Sequence, residues 1–95
     1  MATPLELFTR HDADGTPVVT AAGEIDMSNA ARFADALGAA APDGGRFAVD
    51  LTEVEYLDSA GINVLFTYAS RIKLIASPLL TPVLSVSGLS EVTSA

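Results

Sequence analysis

The spacing of apolar positions changes along the chain in a way that separates strands from helices. Leu5 to Thr9 and Pro17 to Ala21 are short runs with β-branched or aromatic residues, parted by the turn formers His11-Asp12-Ala13-Asp14-Gly15. They predict a β-hairpin. Gly23-Glu24-Ile25-Asp26 closes the second strand, and Asp26 or Ser28 can accept a hydrogen bond from the free amides of a helix expected over 28–40. Ala30, Phe33, Ala34 and Leu37 share one face of that helix, with Arg32 and Asp35 turned away. Ala41-Pro42-Asp43-Gly44-Gly45 stops it.

Farther on, Phe47, Val49 and Leu51 alternate with Ala48 and Asp50, which predicts a central strand over 46–51 followed by a connecting turn over 52–56. Leu57-Asp58-Ser59-Ala60-Gly61 leads into an apolar helix with Ile62, Leu65, Phe66 and Ala69 on one side. A strand over 73–76 is a candidate, but no glycine marks the reversal before it, so a single helix over 59–75 competes with it. Ser77-Pro78 reads as a helix start and Gly88 as its end. Pro82 then falls inside that helix, at a cost of about 3 kcal/mol, and predicts a bend near Thr81. Phe8, Phe33, Phe47 and Phe66 read as core, Tyr56 and Tyr68 as half-buried core residues, and Thr67, Ser70 and Arg71 as an exposed helix rim.

Composition narrows the class. The 95 residues are 49% apolar and 18% charged, enough for one small packed domain and too few for two. A formal charge of −7 disfavours nucleic acid and anionic lipid surfaces. The absence of cysteine removes disulfides, thiolate metal sites and thiol nucleophiles, and fits a reducing compartment. The first ten residues lack signal-peptide character, so a cytoplasmic location is expected, without membrane insertion. No charge occurs over 74–90, but Pro78, Pro82, Gly88 and five serines or threonines make burial against a core the better reading than a membrane span.

Chemistry concentrates at Asp58-Ser59-Ala60-Gly61. A serine at a helix start sits beside unpaired amides and the positive end of the helix dipole, where a phosphate would be received by those amides yet stand beside Asp58 and near Asp26. The plainer alternative is that Ser59 merely caps the helix while Asp58 complements its dipole. Other signals are weaker. Asp12-Ala13-Asp14-Gly15 lacks the oxygen ligands of a calcium loop and reads as a hairpin turn. His11, the single histidine, forms neither a metal cluster nor a convincing partner for Ser59, and Glu53 and Glu55 share a solvent face. No metal, cofactor or catalytic residue is indicated, and the chain is read as a non-enzyme.

Gly23-Glu24-Ile25-Asp26, Val49-Asp50-Leu51, Tyr56-Leu57-Asp58-Ser59-Ala60-Gly61-Ile62 and Ser87-Gly88-Leu89 together resemble the STAS domain family of anti-sigma factor antagonists over nearly the whole chain. The resemblance implies a single α/β STAS domain over 1–95, a small mixed β-sheet with helices packed on one face, from which this chain departs by being shorter between the second and last helices. It implies a phosphoprotein of transcription regulation. Unphosphorylated, it would bind an anti-sigma factor that is also a serine kinase, and phosphorylation of Ser59 would break the complex. Asp26, Asp58, Ser59, Ala60 and Gly61 are then the partner-binding residues, with Gly61 allowing close approach. A phosphatase, and a second copy docked through the apolar tail, are further candidate partners. Asp-Ser-Ala-Gly is also similar to STAS proteins that dock on the ATPase of a lipid-transporting ABC system, which is the alternative function. A third reading is a degenerate member that keeps the fold without the switch.

Overall fold

The computed structural model describes residues 3–89 and 91–95. The hairpin forms as the turn residues predict: β1 (Glu6–His11) and β2 (Pro17–Ile25) pair antiparallel, with His11 opposite Pro17. Asp12 Oδ1 accepts from the amides of Asp14 and Thr16 at 3.2 and 3.1 Å, and Asp14 Oδ1 from the Thr16 amide and hydroxyl at 2.9 and 2.6 Å. Hydrogen bonding with the Asp12 carboxyl, then with the Thr16 hydroxyl and amide, holds the Asp14 carboxyl down at about 2.

After β2 come α1 (Ala30–Ala40), β3 (Phe47–Leu57), α2 (Ser59–Thr67), β4 (Ile72–Ala76), α3 (Thr81–Val86) and β5 (Val92–Ser94). The sheet runs in chain order, β1-β2-β3-β4-β5, antiparallel at the hairpin and parallel thereafter. Parallel crossovers are right-handed, and three successive ones that step the same way place all three helices on one face. That face holds the core. Val19, Val49 and Leu74 lie side by side in register, as do Phe47 and Ile72, and all are buried against Phe33, Leu37, Leu65 and Leu84. Phe47 also meets the Tyr68 ring edge to face, with centroids 5.7 Å apart.

Five expectations are corrected by packing. Residues 52–56 are not a turn but the second half of β3, because two register shifts against β2 space its inward residues by three instead of two: Leu51, Val54 and Leu57 are all buried. The strand over 72–76 is present, so no helix runs over 59–75. The reversal that lacks glycine is made by a turn in which the Arg71 amide donates to Tyr68 O at 2.8 Å, while its guanidinium donates to the carbonyls of Gly45 and Pro42. Arg71 is therefore a structural anchor rather than part of an exposed rim. The last helix begins three residues later than its Ser77-Pro78 signal, with Leu80 as N-cap and Thr81 first, so Pro82 stands in the first turn, where proline removes no helical bond and no bend arises. Gly88 does end it: φ is +101°, and the Leu89 amide donates back to Leu84 O at 3.2 Å. Phe8 and Phe66 were expected in the core and are instead 60% and 42% exposed, since Phe8 points to the uncovered sheet face and Phe66 to the outside of α2. The short β5 pairs beside β4 and carries no strong sequence signal at three residues.

Candidate functional site

Two helices start side by side at one end of the sheet. β2 and β3 are neighbours with Ile25 opposite Leu57, so the residues that follow, Asp26 and Asp58, leave adjacent strand ends together. The Asp58 amide still donates to Ile25 O at 3.2 Å, which fixes the spacing of the two loops. Asp58 is the N-cap of α2: its extended backbone turns the carboxylate back, and Oδ1 accepts from the amides of Ala60 at 2.9 Å and Gly61 at 3.3 Å. Ser59, the first residue of this nine-residue helix, is exposed.

Asp26 organises the neighbouring loop. Its Oδ1 accepts from the Ser28 hydroxyl at 2.5 Å and the Ser28 amide at 2.9 Å, while its carbonyl accepts from the amides of Asn29 and Ala30. The Ser28 hydroxyl first, and then the Ser28 amide, hold the Asp26 carboxyl below the usual carboxylate range. Asn29, which the sequence reading passed over, ties the loop from both sides: its Oδ1 accepts from the Asp26 amide and its Nδ2 donates to Glu24 O, each at 2.9 Å. An Asn three residues after an Asp at a strand-to-helix junction is the signal that would have found it. Ser28 neither caps nor begins the helix, which starts at Ala30.

The structure thus brings Asp26, Asp58 and Ser59 to one strand edge, while Gly61 takes a different role. It is buried, and a Cβ there would stand 2.4 Å from Leu57 Cδ1 and 2.9 Å from Ile25 Cγ2. Glycine is needed to seat α2 on the sheet, not to admit a visitor. Ala60 is half-buried beside it. The amides expected to receive a phosphate are taken by Asp58, so a negative group on Ser59 would meet a carboxylate that already occupies them. Two exposed apolar residues, Met27 in the Asp26 loop and Tyr56 two residues before Asp58, flank this edge at 83% and 50% exposure; Tyr56 is not the half-buried core residue its sequence position suggested. His11 ends β1 opposite Pro17, the start of β2 and the far end from Asp26, roughly 25 Å along the sheet at about 3.3 Å per residue, so no imidazole serves Ser59 as a base.

This geometry coincides with the family likeness of the whole chain. The family described as "Mlab, STAS domain" matches residues 8–94. The chain belongs to the STAS domain family. An anti-sigma factor antagonist from Mycobacterium paratuberculosis has a similar structure at 28% identity and a TM-score of 0.79, over 94% of this chain and 84% of that one. The anti-sigma factor antagonist SpoIIAA in its unphosphorylated form gives 22% identity and a TM-score of 0.64, over 99% of this chain and 88% of its own. A STAS domain antisigma-factor antagonist from Rhodobacter sphaeroides, 13% identical, shares the fold at a TM-score of 0.55 over 92% of both chains. No curated protein sequence matches. No helix among the described residues is long and apolar enough to cross a membrane.

Proposed function

We propose that this chain is an anti-sigma factor antagonist whose partner, an anti-sigma factor serine kinase, docks on the edge formed by Asp26, Asp58, Ser59 and Ala60 and is expelled when Ser59 is phosphorylated. The observation that carries the reading is an exposed serine at the first position of α2, beside a carboxylate that cannot move away without uncapping the helix. Two added negative units there are not neutralised by the α2 amides, because Asp58 holds those of Ala60 and Gly61. They face outward, toward whatever docks. Met27 and Tyr56 supply the apolar contact area that a purely acidic edge lacks. In this role the chain is a kinase substrate and binding module in the cytoplasm, and Gly61 acts by placing α2 rather than by touching the partner.

The same occupied amides favour a second reading, in which the edge docks on the ATPase of a lipid-transporting ABC system and Ser59 is never modified. One experiment separates them. The protein is incubated with candidate anti-sigma kinases and ATP, and intact mass is compared between wild type and Ser59→Ala. One phosphate on wild type and none on the variant supports the switch. Equal gain in both moves the site elsewhere, and no gain with any kinase favours the second reading.

A further inference from the structure

The uncovered face of the sheet carries a second, unrelated arrangement of charge at the end opposite Ser59. Arg10, Val18, Ala48 and Lys73 are direct cross-strand partners on β1, β2, β3 and β4, so their side chains form one row on one face. Asp12 and Thr16 extend the rows of β1 and β2 by one pair, through the Asp12 amide on Thr16 O at 3.1 Å. A cavity of about 500 Å³ lies over this region, a volume that suits a small ligand. Its floor is Val18, Ala48 and Ile75, and its rim is charged: Asp12 and Asp14 on the hairpin side, Arg46 and Lys73 on the β3–β4 side.

The carboxylates line the hairpin side, where Arg10 is the one cation, and the β3–β4 side carries only cations. Asp12 and Asp14 each spend one carboxylate oxygen on their own turn, which fixes both groups at the rim. Arg10, which also lines the cavity, is turned toward Asp50 at 3.9 Å, and Arg46 reaches Glu91 at 3.4 Å. Lys73 makes no ion pair among the described residues. Two to three strand spacings of about 4.8 Å separate the carboxylates from Arg46 and Lys73, so roughly 10–14 Å lies between them across the floor of Val18 and Ala48.

We infer that this cavity binds a small zwitterion whose ammonium and carboxylate are separated by an apolar spine, the ammonium toward Asp12 and Asp14 and the carboxylate toward Lys73 and Arg46. An ω-amino acid and a short peptide with free ends share that chemistry. The site is independent of Ser59 and of the proposed antagonist role.

The test is an amide-resolved NMR titration of the full chain with 8-aminooctanoate, trialanine, octanoate and octylamine. At least one of the two zwitterions shifts the amides of Val18, Ala48 and Lys73, and whichever binds more tightly identifies the spine. Each singly charged analogue binds about 2- to 5-fold more weakly than 8-aminooctanoate, the range of an exposed ion pair. Lys73→Gln weakens octanoate and 8-aminooctanoate by a similar factor and leaves octylamine unchanged, while Asp12→Asn, which keeps the turn-capping oxygen, does the reverse. Shifts confined to other surfaces, no shift with either zwitterion at millimolar concentration, or equal binding of all three eight-carbon probes overturns the assignment.

Discussion

Replacing Gly61 by alanine tests how α2, and with it Ser59, is held in place. The added Cβ would lie 2.4 Å from Leu57 Cδ1 and 2.9 Å from Ile25 Cγ2, whereas carbon atoms pack best at about 3.5–4.0 Å. The Leu57 methyl can rotate aside. Ile25 cannot give so easily, being fully buried and β-branched, with few rotamers open to it. Overpacking of this kind costs about 1–3 kcal/mol. Against it stands a helix-propensity gain of up to about 1 kcal/mol for Gly→Ala, smaller here because the position lies in the first turn. The balance is a destabilisation of about 1–2 kcal/mol, which for a domain of this size lowers Tm by roughly 5–15 °C. Thermal unfolding followed by circular dichroism reads it. Gly38→Ala is the control: it sits exposed in the last turn of α1, where the added Cβ meets only the tip of the Tyr68 side chain at 3.2 Å, and once that hydroxyl shifts by a few tenths of an ångström the propensity gain leaves a stabilisation of less than about 1 kcal/mol. A Tm that rises for Gly61→Ala as it does for Gly38→Ala would refute the packing role.

Asp58→Ala removes the α2 cap and destabilises by about 1 kcal/mol, whereas Asp58→Asn keeps the accepting oxygen and stays close to wild type in urea unfolding. Ser28→Ala raises the Asp26 pKa toward the ordinary carboxylate value, read by NMR titration of the carboxyl carbon. A carboxyl depressed in the folded state adds stability above its unfolded pKa and loses it as pH falls through the folded one, so the variant gives up part of that contribution. Arg71→Met leaves the carbonyls of Pro42 and Gly45 without their guanidinium donor and destabilises by about 1.5–3 kcal/mol, with faster amide exchange over the 41–45 loop.

Much of the architecture was legible because local chemistry and burial agree. The hairpin turn, the α1 stripe of Phe33 and Leu37, and the alternation of Phe47, Val49 and Leu51 each follow one period. Legibility failed where two periods met. Bulges in the β2–β3 pair shift the inward residues of β3 to every third position, and no alternation test recognises such a strand. The reversal before β4 was hidden because a long-range anchor, Arg71 on two loop carbonyls, does what a local glycine would otherwise do. At the site, Asp26, Asp58 and Ser59 were readable as motif residues. The loop knot at Asn29 and the inward role of Gly61 depend on which strand lies next to which, and only the fold supplies that.

The central claim is that charge on Ser59 governs docking. Its most direct measurement is the Kd of the cognate anti-sigma factor for unphosphorylated and singly phosphorylated protein, side by side at one ionic strength. For a partner that seats an acidic group about 6 Å from the phosphate, an effective dielectric near 20 gives a repulsion of roughly 3 kcal/mol, which predicts a complex weakened about a hundredfold. Equal affinity for the two forms would contradict the account.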